Sequence, residues 1–391
     1  GHVDHGKSTL VGRLLADTQT LPQGKLENVK AVCARQGRTF EYSFLIDALK
    51  EEQAKGITID AARVFFKTAH RDYLIFDAPG HLEFLKNMVS GASHAEAALL
   101  VIDAHEGIRE NSKRHAYMLS MLGIKQLAVL VNKMDLVGYS EAAFQDIQTS
   151  FSTFLDKIAV YPQSYIPISG FHGENVAQPS KNMPWYVGKT VLETLDAFEV
   201  RRPLTDLPFR FPVQDIYTFG EEPIVVGTIE SGTVKVGDEL VFLPSEKRGV
   251  VKKGQGVAGE AIGLTFVDDL VVARGEVACR MSEPLPDVVD HFRASLFWLG
   301  KKPMESGKDY ILKLATARTT VRLEKILRRI DASSLALYNE GDAIQSYEVA
   351  EGVFSLHTPM VCHTQNDVPA MSRFVIVDDY DIVGGGIIRS A

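Results

Sequence analysis

Gly1-His2-Val3-Asp4-His5-Gly6-Lys7-Ser8 has the spacing GxxxxGK[ST], and its fixed positions each have a task at a phosphate. The glycines let backbone N–H groups curl around the anion, and Lys7 reaches the β and γ oxygens. The Ser8 hydroxyl ligates Mg²⁺, with Thr9 beside it in the nucleotide-contacting set. At about 7% glycine usage such a string arises by chance in on the order of one chain in a hundred of this length. A glycine turn with an exposed lysine therefore stays open until other elements are counted.

Those elements follow in order. Asp77-Ala78-Pro79-Gly80 comes after the apolar run 73–76. A strand end there brings Asp77 towards Mg²⁺ through water and lets the Gly80 N–H meet the γ-phosphate. Upstream, Thr58 in Gly56-Ile57-Thr58-Ile59 can close the metal shell with its hydroxyl and carbonyl only while the γ-phosphate is present. Asn132-Lys133-Met134-Asp135 follows the apolar run 127–131. The Asp135 carboxylate can accept both N1–H and the exocyclic amino group of guanine, a donor pair that adenine lacks, while Asn132 holds the loop and the Lys133 stem packs on the purine face. Ser169-Gly170, after another strand, offers a backbone N–H to the guanine oxygen. These five elements along one chain, with Asp77-Ala78-Pro79-Gly80, Asn132-Lys133-Met134-Asp135 and Ser169-Gly170 each at a strand end, outweigh coincidence: the reading is a switch that binds GTP and GDP with Mg²⁺ and hydrolyses GTP. Lys7, Thr58 and Gly80 neutralise or sense the phosphate being cut.

Gly1-His2-Val3-Asp4-His5-Gly6-Lys7 and Asp77-Ala78-Pro79-Gly80-His81 resemble the strings of the translation-factor class of GTPases, elongation factor Tu and its relatives. The resemblance implies that His81 positions or activates the attacking water and that Val3 and Ile57 gate its approach. It also implies that Asp4 helps hold a monovalent cation and that Asp47 contacts the metal through water. Within that class the chain is similar over its whole length to sulfate adenylyltransferase subunit 1, the GTPase partner of bacterial ATP sulfurylase. The similar stretches include Ser8 to Thr18, Lys113-Arg114-His115, Met183-Pro184-Trp185-Tyr186, Phe209 to Gln214 and Val383-Gly384-Gly385-Gly386. That family commonly has Ser and Asp where His2 and His5 stand, and alanine where Gly170 stands; a backbone contact survives the latter change. The resemblance implies a small catalytic subunit as partner, which makes adenosine 5′-phosphosulfate from ATP and sulfate. Two alternatives belong beside it: a carrier of aminoacyl-tRNA, and the GTPase part of a fusion with an adenylylsulfate kinase.

The elements that must position these residues can be read coarsely. Apolar runs at 73–76, 98–102, 127–131 and 165–168 alternate with helical stretches up to a last helix over 191–198, which predicts an α/β P-loop GTPase domain with a mostly parallel sheet over 1–202. Short strands broken by glycine turns then predict a β-barrel over 203–286, and a further strand-rich block a second β-barrel over 287–391. With 391 residues, 45% of them hydrophobic, there is material for several cores. A net charge of −8 and the lack of a clustered basic run argue against nucleic acid as partner. Cys33, Cys279 and Cys362 lack CxxC spacing and read as reduced thiols of a cytoplasmic protein. Cys362 and His363, adjacent on a strand, point to opposite faces and read as packing residues, not metal ligands. No apolar run reaches the roughly 18 residues of a membrane span. Gly1 opens a motif that normally follows a buried strand, so an earlier native start is expected.

Overall fold

The computed structural model describes residues 1–46, 63–77, 95–121, 123–200, 204–219, 222–331, 334, 336–338, 343–364 and 368–390. The chain forms two compact units, Gly1–Val200 and Arg201–Ala391.

In the first unit, β3 (Ala97–Asp103) and β4 (Gln126–Asn132) are continuous apolar runs, the pattern of strands covered on both faces. They pair in parallel with each other, and β4 pairs in parallel with β5 (Ser164–Pro167), giving the order β3-β4-β5. Helix α3 (Glu110–Met121) connects β3 to β4, as parallel neighbours require. Helix α4 (Glu141–Lys157) starts at Ser140, whose side chain accepts the Ala143 N–H. Helix α5 (Val191–Ala197) starts at a capping box in which Thr190 and Glu193 satisfy each other's backbone N–H. Helices α1 (Lys7–Asp17) and α2 (Lys25–Arg35) open the unit. Leu10, Leu14 and Leu15 of α1 share a core with Val101, Leu130 and Ile166 of the sheet, so the phosphate loop is pinned to the strands immediately beyond it.

The run 73–76 differs from expectation. It lies in β2 (Asp72–Phe76), which pairs antiparallel with β1 (Arg63–Lys67), and among the described residues this hairpin is separate from the parallel sheet. The reason is the turn: Thr68 N bonds Arg71 O, and the Thr68 hydroxyl accepts from the N–H groups of His70 and Arg71. A connection this short permits only antiparallel return.

The second unit is all-β. Strands Arg210–Phe219, Glu222–Thr228, Glu239–Leu243, Lys247–Lys253, Ala261–Phe266 and Val277–Arg280 close into one barrel around Phe209, Phe211, Leu240, Phe242 and Leu264. Strands Asp287–Trp298, Asp309–Leu314, Ala317–Asp331, Glu348–Cys362, Arg373–Asp378 and Asp381–Ser390 form a second ring, because Asp309–Leu314 pairs with both Ala317–Asp331 and Arg373–Asp378. Phe292, Leu312, Phe354 and Phe374 fill it. Closure leaves neither sheet a long free edge. The two barrels share an apolar seam of Val241, Leu243, Val277 and Cys279 with Val361, Val368 and Met371. Beside it the buried Arg210 donates to His363 Nε2 (3.0 Å), Phe209 O (2.8 Å) and Pro284 O (2.6 Å). All three cysteines are buried free thiols, and no cluster of metal-binding side chains occurs among the described residues. No helix among the described residues is long and apolar enough to cross a membrane.

Candidate functional site

Parallel register puts Asp103, at the end of β3, opposite Asn132, at the end of β4. The phosphate loop lies beside this same carboxyl edge, where open α/β sheets bind ligands. Gly6 caps α1 in the left-handed region at φ 85°, and a Cβ there would stand 2.3 Å from Asn132 Nδ2. Only glycine lets the loop approach the end of β4 so closely. Asp4 also has positive φ, at 59°, and is exposed.

Asn132 is the clamp of the site. Its Nδ2 donates to His5 O at 2.9 Å, and its Oδ1 accepts from Gly170 N at 2.9 Å. One carboxamide therefore joins the phosphate loop, the end of β4 and the Ser169-Gly170 loop. The Gly170 N–H, expected at the guanine oxygen, is given to Asn132, and the Ser169 N–H is given to Glu174 O. Asp135 sits in the first turn of the 3-10 helix Met134–Val137, tied back by Met134 N to Ile168 O at 3.1 Å.

At the phosphate end, Lys7 Nζ donates to Gly1 O (3.1 Å) and His2 O (2.5 Å), so its ammonium is folded over the loop. Burial lowers its pKa from the ordinary lysine value, against the opposing pull of Asp77 and Asp4. Ser8 Oγ donates to Asp77 Oδ2 at 3.4 Å. Two hard oxygen donors, one from α1 and one following β2, thus stand together, which fits a Mg²⁺ ion. Thr9 and Val3 are half-buried beside them. Thr58, Gly80, His81, Asp47 and Ile57 lie outside the described residues.

His5 departs from a simple ligand-facing role. Its ring is fully buried, with Nδ1 3.2 Å from Val101 O and 3.2 Å from the Asp103 N–H. The ring is a wedge between the phosphate loop and β3, while its carbonyl serves the Asn132 clamp. Burial pushes the imidazole down to about 4, against the opposing pull of the Val101 carbonyl and the Asp103 carboxylate, and Glu106 Oε2 stands 3.8 Å from Nε2. His2 packs edge-on against it at 5.4 Å and is also lowered by burial.

Two residues of the site escaped the sequence patterns. Asp103 Oδ2 takes the Lys133 ammonium at 2.7 Å, and its Oδ1 accepts the N–H groups of His105 (2.8 Å) and Glu106 (3.2 Å). Its only signal was an acidic residue closing an apolar strand, as Asp77 does. Arg13 clamps α1 to the loop after Ser169, with Nε 2.9 Å from both Asp17 oxygens and Nη1 donating to Phe171 O at 3.2 Å.

Residues 1–204 match the family described as the elongation factor Tu GTP binding domain, and residues 291–389 match the GTP-eEF1A C-terminal domain-like family. The chain belongs to the elongation factor Tu family of GTPases. It is a translation-factor-like GTPase that binds guanine nucleotide. Relatives within the family carry two different names. Elongation factor 1-alpha of Thermoplasma acidophilum is 36% identical, over 99% of this chain and 95% of its own length. Sulfate adenylyltransferase subunit 1 of Citrobacter koseri is 34% identical, over 100% of this chain and 85% of its own. The protein of that name from Aeromonas hydrophila is 35% identical, over 99% and 84%. Identity alone does not separate the two kinds of family member.

Proposed function

We propose that the chain is the GTP-hydrolysing subunit of a sulfate adenylyltransferase, driving a smaller catalytic subunit that makes adenosine 5′-phosphosulfate from ATP and sulfate. The observation that carries the switch reading is the Asn132 clamp, which binds the phosphate loop and the Gly170 loop through one side chain. Lys7 would neutralise the β and γ oxygens, Thr58 and the Gly80 N–H would sense the γ-phosphate, and His81 would orient the water. Ser8 and Asp77, with Thr58 and Asp47, would hold Mg²⁺, which when bound supplies further neutralisation of phosphate charge. Asp4 would hold a monovalent cation. Residues 1–202 would act as the motor, with 203–286 and 287–391 as the two barrels it moves.

The choice of partner is supported by the sulfurylase-named relatives and by the −8 charge balance. The sequence carries one nucleotide-binding pattern, and it reads guanine, so adenylyl transfer is assigned to the partner. A second reading, a carrier of aminoacyl-tRNA, is supported by the elongation factor relatives at similar identity and by the His2 and His5 spelling of the phosphate loop. Following phosphate release and phosphosulfate formation together decides between them. The small subunit with ATP and sulfate should raise GTP turnover, and Thr58→Ala should uncouple the pair while GDP still binds. Turnover that responds to aminoacyl-tRNA or ribosomes and ignores the sulfurylase subunit would establish the second reading instead.

A further inference from the structure

We propose that Asp103 is a positioning residue of the guanine site: its carboxylate holds the Lys133 ammonium, fixing the lysine stem beside Asp135 before nucleotide arrives. The proposal rests on the guanine-binding reading of Asn132 to Asp135 and is independent of which partner the switch drives.

The placement begins with register, since the last residues of β3 and β4, Asp103 and Asn132, face each other in the parallel pair. The Asp103 side chain is 2% exposed, and its two oxygens have separate duties. Oδ1 accepts the His105 and Glu106 N–H groups, which fixes the plane of the carboxylate in the turn after β3. Oδ2 is thereby aimed at Lys133 Nζ, 2.7 Å away. Burial alone would push the carboxyl up, but the Lys133 ammonium and the two N–H groups outweigh it and hold it below its ordinary value, so it stays charged at neutral pH.

Lys133 needs such an anchor. Its backbone is left-handed at φ 62°, a conformation uncommon for a lysine, and an unheld stem would sample many rotamers before one lay flat for a purine. Asp103 also touches the phosphate side, because its backbone N lies 3.2 Å from His5 Nδ1. One buried residue therefore sets both the lysine that covers the base and the ring that wedges the phosphate loop.

The test is a double-mutant cycle on release of a fluorescent GDP from the full chain, with the thermal midpoint measured alongside. Asp103→Asn keeps the Oδ1 acceptor for the turn and removes the charge, and Lys133→Met keeps the stem and removes the ammonium. Each should speed release on the order of 10-fold, and the double variant should be no faster than either single one, as two ends of one contact require. Effects that multiply, or release unchanged in Asp103→Asn, would overturn the proposal, because a residue that only staples the turn lowers the thermal midpoint equally with or without the lysine charge. Should Asp103→Asn not fold, Asp103→Ser, which keeps a hydroxyl acceptor for the His105 N–H, enters the same cycle. An unaltered chain that fails to retain GDP would sink the guanine reading itself, before any variant is compared.

Discussion

At the scale of single residues, His5 ties the stability of the fold to pH. A free imidazole protonates near 6.5, and burial pushes this one down to about 4. Between those values the unfolded chain gains the proton and the folded chain does not, so stability present above pH 6.5 is lost as pH falls towards 4. The loss reaches about 3 kcal/mol. His115, also pushed well down by burial, adds to the same slope. Urea unfolding at a series of pH values should show the decline, and His5→Gln should remove about that much of it; an identical slope in the variant would refute the assignment. Asp135 supports a second prediction: Asp135→Asn should shift preference from GDP towards xanthosine diphosphate, whose 2-oxo group suits an amide donor. Calorimetric titration with both nucleotides checks it, and unchanged preference would remove Asp135 from the base contact. The gathering of the phosphate loop, Asn132 and Gly170 at one sheet edge was legible because glycine, lysine and Asn-Lys-x-Asp spacing reflect local backbone demands. Asp103 was not, since a lone aspartate after an apolar run looks like any turn former until register sets Lys133 against it.

For secondary structure, the continuous apolar runs of β3 and β4 were readable because strands covered on both faces need no alternation. The antiparallel pairing of β2 was not, because the runs β1 and β2 are five residues each and the deciding feature is a threonine-stabilised turn between them. Gly170 offers a test at this level. Its φ lies outside the left-handed region, and a methyl group would stand 3.4 Å from Asn132 Oδ1 and 3.7 Å from Leu10 Cα, which is ordinary contact. Gly170→Ala should therefore raise stability by about 0.4–1 kcal/mol by restricting the unfolded chain. A lower urea midpoint would mean that the loop after β5 needs glycine for a reason its geometry does not contain. Gly6 is the opposite case, since both its φ and its distance to Asn132 forbid a side chain.

Across the molecule, the barrel character of the second unit was legible from glycine-punctuated short strands, but ring closure depends on pairings between strands far apart in sequence, such as Asp309–Leu314 with Arg373–Asp378. The link between the two barrels was equally invisible, because it joins Arg210 to His363 across 153 positions. Arg210→Leu should destabilise the second unit by about 3 kcal/mol, since His363 Nε2 and Pro284 O lose their donor. Scanning calorimetry of the full chain should show that loss, with GDP affinity unchanged; an unaltered transition would mean that the apolar seam alone joins the barrels.

The chain has two tryptophans, and the fold gives one to each unit. Trp185 donates its indole N–H to Tyr139 O at 3.1 Å, and Tyr139 N in turn bonds Met134 O in the turn after β4. Trp298 is buried in the second barrel, its N–H on Lys302 O at 2.7 Å. The molecule therefore carries two intrinsic fluorophores with different environments. The half-exposed indole is two hydrogen bonds from Met134 in the turn after β4, whereas the enclosed one emits from a dry site until its barrel unfolds. With Trp298→Phe the remaining tryptophan signal reports on the first unit, and with Trp185→Phe on the second, so the unfolding of each unit can be followed by itself.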